Sequence, residues 1–130
     1  MPRLAGFMVA GITLCSSVVA SPAVAWADDL VTYEVISDQI GMANIEYQDT
    51  SGRIFLQDMA LPWRIDTTVR AVRDAPPQGS QVRADWRPNA GPSKWVTVRI
   101  SYEGKVICES ILDVGDATCY GITPHMPGRE

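Results

Sequence analysis

Val96-Thr97-Val98-Arg99-Ile100-Ser101-Tyr102, followed by Glu103-Gly104 and then Lys105-Val106-Ile107-Cys108-Glu109-Ser110-Ile111, is the stretch on which the fold turns. Apolar and polar residues alternate along its first half. The period of two puts Val96, Val98, Ile100 and Tyr102 on one side of a strand and Thr97, Arg99 and Ser101 on the other. Glu103-Gly104 is a two-residue turn between strand-like runs, so the whole stretch predicts a β-hairpin with one face buried.

The same period recurs on either side. Val31-Thr32-Tyr33-Glu34-Val35 predicts a strand with Val31, Tyr33 and Val35 inward. Ala43–Gln48 predicts another, with Ala43, Ile45 and Tyr47 inward, after a turn at residues 37–41. Asp49-Thr50-Ser51-Gly52 closes a hairpin into Arg53–Ala60, with Gly52 suited to the left-handed position. Pro62 starts a long strand in which Trp63, Ile65, Thr67, Val69 and Ala71 face inward, opposite Arg64, Asp66, Thr68 and Arg70. A loop over 74–80 precedes a short strand, Gln81–Arg87, and a second loop spans 88–93. Ala117–Ile122 is the last predicted strand. The tail from Thr123 to Glu130, with Pro124, Pro127 and Gly128, is expected to be loose. Neither a helical stripe nor an internal repeat is visible. Seven or eight short strands, spaced about ten residues apart, predict an all-β antiparallel β-sandwich over residues 28–122, with a small closed barrel as the alternative.

The first 27 residues are of another kind. Met-Pro-Arg is followed by an apolar run from Leu4 to about Ala20, then by small residues leading to Ala25-Trp26-Ala27. This is the pattern of a secretory signal peptide cut after Ala27 or, in close competition, after Ala25. The rival is an uncleaved membrane anchor, for which a run of seventeen residues, diluted by Ser16-Ser17, lies at the lower limit. Without this segment the chain has ten Lys/Arg against fifteen Asp/Glu, scattered singly. No concentrated basic face is available for a nucleic-acid backbone.

Export bears on the cysteines. Cys15 leaves with the signal, and Cys108 and Cys119 remain as an even pair bound for an oxidising compartment. A structural disulfide is expected, contributing about 3 kcal/mol in the chain-entropy model. Two separate buried thiols are the alternative.

Candidate chemistry is sparse. His125 is the one imidazole and sits in the Pro/Gly-rich tail, without the support a general base needs. Carboxylate pairs are plentiful, but none sits at i, i+2 on one strand within an apolar setting, and Asp28-Asp29 reads as a solvated start. There is no phosphate loop, nucleophile elbow or His/Cys metal spacing, so neither catalytic residues, a cofactor nor a metal is assigned. The tryptophans differ. Trp63 is expected in the core, and Trp86 in the core or at a sheet edge. Trp95 is out of phase with Val96, Val98 and Ile100, which makes it the candidate partner contact.

Four stretches, taken together, carry a family resemblance: Val31–Val35, Ala43–Asp49, Leu61-Pro62-Trp63 and Arg99–Val106. In order and spacing they resemble the soluble domain of the small mycobacterial membrane proteins called MmpS, over nearly all of residues 30–120. The resemblance implies an immunoglobulin-like sandwich outside the plasma membrane. It also implies an accessory role beside MmpL transporters of the RND type, which export siderophores or other lipidic molecules. It brings no catalytic residues. This chain departs from the family in two respects: its apolar N-terminus looks processed rather than kept as an anchor, and its cysteines are placed differently. The family sets one cysteine where this sequence has Val98 and the second near the final strand, where Cys119 stands. Cys108 lies one hairpin arm later, as in a divergent secreted relative. The alternative function is a soluble carrier holding an apolar ligand between its sheets, against Tyr33, Tyr47, Trp63 and Ile65.

Overall fold

The structure, a computed structural model, describes residues 27–125. The segment expected to be a signal peptide and Cys15 lie outside the described residues, apart from Ala27 at the expected cleavage point. Among the described residues nine strands run in chain order: β1 Asp29–Ile36, β2 Met42–Asp49, β3 Gly52–Ala60, β4 Trp63–Val69, β5 Gln81–Asp85, β6 Val96–Tyr102, β7 Lys105–Leu112, β8 Asp116–Tyr120 and β9 Thr123–His125. They form two antiparallel sheets, one of four strands ordered β4-β1-β6-β7 and one of five ordered β3-β2-β5-β8-β9. The sandwich is thus present, and the barrel alternative is not.

The buried faces follow the alternation of the sequence. Val31, Tyr33 and Val35 from β1 and Val96, Val98 and Ile100 from β6 are sealed from solvent. Across the gap lie Ala43, Ile45 and Tyr47 from β2, Val82 and Ala84 from β5, and Ala117 from β8. Only hairpins β2–β3, β6–β7 and β8–β9 stay within one sheet; every other connection crosses the sandwich. The turn at 37–41 is such a crossing. Ser37 Oγ accepts the backbone N–H groups of Gln39 and Ile40 and donates to the carbonyl of Trp95, which ties the crossing to the start of β6.

Three expectations change. The long strand stops at Val69 rather than Ala71. There the chain turns inward at Val72, which is fully buried. The expected strand Gln81–Arg87 stops at Asp85, and a 3-10 turn over Arg87–Asn89 follows, with proline in its first turn. The tail expected to be loose from Thr123 contains β9, which pairs with β8 through Thr118–His125, Cys119–Pro124 and Tyr120–Thr123. A proline is compatible with β9 because that strand is the sheet's edge, where its missing N–H takes nothing from the ladder. Gly121 makes the turn between β8 and β9 possible. Its φ is +59°, and a Cβ there would lie 2.5 Å from the Arg73 carbonyl oxygen.

Asp29 is a further correction. Sequence pattern alone makes it a solvated residue at the start of the domain, but its carboxylate accepts the Val72 N–H at 3.0 Å and the Tyr102 hydroxyl at 3.2 Å. It therefore closes one end of the sandwich between β1, β6 and the loop after β4.

Candidate functional site

Trp95 stands where its phase placed it, at the entrance of β6 with 45 % of its surface exposed. Pairing of Ile36 with Thr97, and of Thr97 with Ile111, sets two more apolar side chains in the neighbouring row of the same outer face. Ile111 is half exposed and Ile36 partly buried. The Ser37 hydroxyl, bonded to the Trp95 carbonyl at 2.7 Å, fixes the backbone from which the indole projects. An aromatic on an anchored backbone loses little freedom when a partner covers it.

Beyond this corner the outer face of the four-stranded sheet carries a charged row and, past it, the exposed side chains of Leu30 and Val106. Arg99 lies between two carboxylates, with Nε 2.8 Å from Glu109 and Nη1 3.4 Å from Glu34. These bonds, led by the one to Glu109, raise the guanidinium further above its ordinary value. Thr32 donates to Asp66 at 2.6 Å in the next row.

The other tryptophans do different work. Trp86, 1 % exposed, is the largest fully buried side chain, and its backbone N–H donates to the Gly115 carbonyl at 2.7 Å. Of the two alternatives for it, the core is the observed one. Trp63 is half-buried and tilts against Tyr47, with ring centroids 5.6 Å apart; Tyr47 in turn meets Tyr33 at 5.7 Å. The aromatic residues considered for a carrier cavity thus pack on one another. The Tyr33 hydroxyl donates to the Gln48 carbonyl at 2.6 Å and accepts the Gln81 N–H at 3.1 Å, so a side chain of one sheet bonds two strands of the other. Burial pushes this phenol well above its usual range, against the opposing pull of the Gln81 bond.

Cys108 on β7 and Cys119 on β8 form a disulfide with Cα atoms 6.0 Å apart. Because β7 belongs to the four-stranded sheet and β8 to the five-stranded one, the bond crosses the core and links the sheets. Cys119 also faces β6, its sulfur 4.0 Å from the Val98 carbonyl oxygen. His125 pairs through its backbone in β9. Among the described residues no three His, Cys, Asp or Glu side chains come together as a metal site, and no helix is long and apolar enough to cross a membrane.

The sequence reading missed the outer face of the five-stranded sheet. Asp85 there accepts both Nε and Nη2 of Arg87. Burial pushes its carboxyl up, but the Arg87 bonds and charge, with that of Arg83, outweigh this and hold it below its ordinary value. Arg83 Nη2 lies 3.0 Å from Asp116 and 3.9 Å from Asp85, and Arg53 Nε lies 3.6 Å from Glu46. These residues come from β2, β3, β5, β8 and the 3-10 turn after β5, and strand pairing rather than a single local motif brings them together.

Fold and bonds together define an all-β antiparallel sandwich with a disulfide between its sheets, immunoglobulin-like in that architecture. No protein-family model matches the chain, and no curated protein matches it.

Proposed function

We propose that this chain is an exported, non-enzymatic MmpS-like sandwich of the cell envelope, an accessory or binding protein linked to MmpL-type export of siderophores or other lipidic molecules. The observation that carries this reading is the position of Cys119. Its sulfur faces Val98, the position at which the resembling family has its other cysteine, while the bond here goes to Cys108 on the adjoining strand. Cys108 pairs with Ile100, one inward position along β6 from Val98, so the bridge keeps one end and shifts the other by one strand. A disulfide that ties sheets together suits an oxidising compartment and a domain of about a hundred residues. Trp95, with Ile36 and Ile111 beside it, supplies a contact corner for an envelope protein.

The test is co-purification of the tagged chain from envelope membranes in mild detergent, with mass spectrometry of the mature protein with and without reductant. The expected result is a transporter of the RND type in the eluate, lost on Trp95→Ala, and a mature mass that begins near Asp28. Recovery solely as a free monomer in the culture fluid defeats the proposal.

A further inference from the structure

We infer that the outer face of the five-stranded sheet is a binding site for a neutral, polyhydroxylated chain, that is, an uncharged glycan. Two shallow grooves lie on this face. One, of about 360 Å³, is lined by Asn44, Glu46, Phe55, Arg83, Asp85 and Arg87. The other, of about 460 Å³, is lined by Gln81, Thr118, Tyr120 and Pro76 among others. Arg83 borders both, so they adjoin and form one track across the strands. Strand register orders the track: Phe55 pairs with Glu46, Glu46 with Arg83 and Arg83 with Thr118, with Tyr120 two residues further along β8. Three strand spacings and that offset separate the two aromatic residues by roughly 16 Å, the reach of a short oligomer rather than a single ring.

Charge chooses the occupant. Arg53, Arg83 and Arg87 are matched by Glu46, Asp85 and Asp116 in the ion pairs already described, so the face offers no net attraction to an anion or a cation. What it offers instead is a dense set of hydrogen-bonding groups beside Phe55, a phenyl ring 62 % exposed. A sugar hydroxyl both donates and accepts, and so can satisfy amides, carboxylates and guanidiniums alike, while the C–H face of the ring covers an aromatic. Arg83 Nε, shielded from solvent at the junction of the grooves, has no hydrogen-bond partner among the described residues. An unmet donor of this kind is costly to leave, and reorientation toward a ligand oxygen satisfies it. A peptide is a poorer fit. The track crosses β2, β5 and β8, whose backbone groups are paired on both sides, so a peptide laid along it finds backbone partners only where it reaches the edge strand β3. The groove on the opposite sheet differs: it has Glu34 and Glu103 against Arg64 and no aromatic ring in its lining.

The test is an amide chemical-shift titration of the chain, as the cell processes it, with four neutral probes: maltohexaose, cellohexaose, mannohexaose and xylohexaose. Hexagalacturonate is the anionic control. At least one neutral oligomer is expected to shift Phe55, Arg83, Thr118 and Tyr120 with a millimolar or tighter dissociation constant. Phe55→Ala, at an exposed position that leaves the melting temperature unchanged, weakens that binding by about tenfold, whereas Phe55→Tyr retains it. Trp95→Ala leaves it intact, which separates this site from the proposed transporter contact. The proposal is overturned if none of the four neutral oligomers shifts these amides, if the shifts map to the four-stranded sheet, if Phe55→Ala binds as the parent does, or if hexagalacturonate binds more tightly than every neutral oligomer.

Discussion

On the four-stranded sheet, Arg99 draws Glu34 and Glu109 into one row across three strands, and exposed apolar side chains flank that row, Trp95 and Ile111 towards one end and Leu30 and Val106 towards the other. On the five-stranded sheet, the guanidiniums and carboxylates neutralise one another in small local groups, and an exposed phenyl ring stands among them in a groove. Inside the sandwich the two sheets follow one rule, alternate apolar residues packed to near-zero exposure. The inner faces are thus constrained by a common core and the outer faces are free to diverge. The two proposed surfaces, one for a partner and one for a ligand, are compatible on one small domain for that reason, because neither depends on residues that hold the core.

The comparison breaks most severely if the shared core is opened. Trp86→Ala removes the largest fully buried side chain and is expected to cost about 3–5 kcal/mol in urea unfolding, enough to threaten folding of a domain this size. Replacing both Cys108 and Cys119 by alanine uncouples the sheets covalently, with an expected loss of about 3 kcal/mol on the same assay.

Tyr33→Phe sharpens the comparison, because the Tyr33 hydroxyl is a polar tie from one sheet to the other. The variant leaves the Gln48 carbonyl and the Gln81 N–H without that partner, and about 1–2 kcal/mol is expected to be lost. Its pH dependence carries a sign. The folded-state pKa of Tyr33 is raised by burial, so the unfolded chain ionises first. The tyrosine contribution is fully present below the unfolded value of about 10 and is lost as pH rises from there toward the folded one. Urea midpoints therefore fall above about pH 10 in the parent, and Tyr33→Phe makes that fall shallower. Arg99→Gln, confined to the partly exposed outer row of the four-stranded sheet, is expected to cost about 1 kcal/mol or less and to lose its effect in high salt.

Strands were legible in the sequence wherever one side faced the core, because period two survives in residue order. Val96 to Tyr102 is the clearest case. Which sheet a strand joins was not legible: residues 37–41 have turn composition whether the chain folds back or crosses over. The cysteine pair followed from parity and compartment, but its role between sheets required the topology of β7 and β8. Pro124 concealed β9, since a proline disqualifies a central strand but not an edge. The exposure of Trp95 was legible from phase alone. The glycan groove was not found, because Phe55, Glu46 and Arg83 meet only through strand pairing, and each reads as an ordinary outward residue on its own strand.

The anchoring of Asp29 to Val72 and Tyr102 gives the molecule a polarity. The peptide leading in from Ala27 meets the sandwich at the end where β1 begins, and β1 then runs to Ile36, beside Thr97 and Trp95. Eight extended residues put these two poles roughly 24 Å apart. Anything that holds the domain by the residues before Asp29, whether a bilayer or an export channel, would grip the pole opposite Trp95. The indole would then point outward, clear of the point of attachment, with the glycan groove lying along the flank between the two.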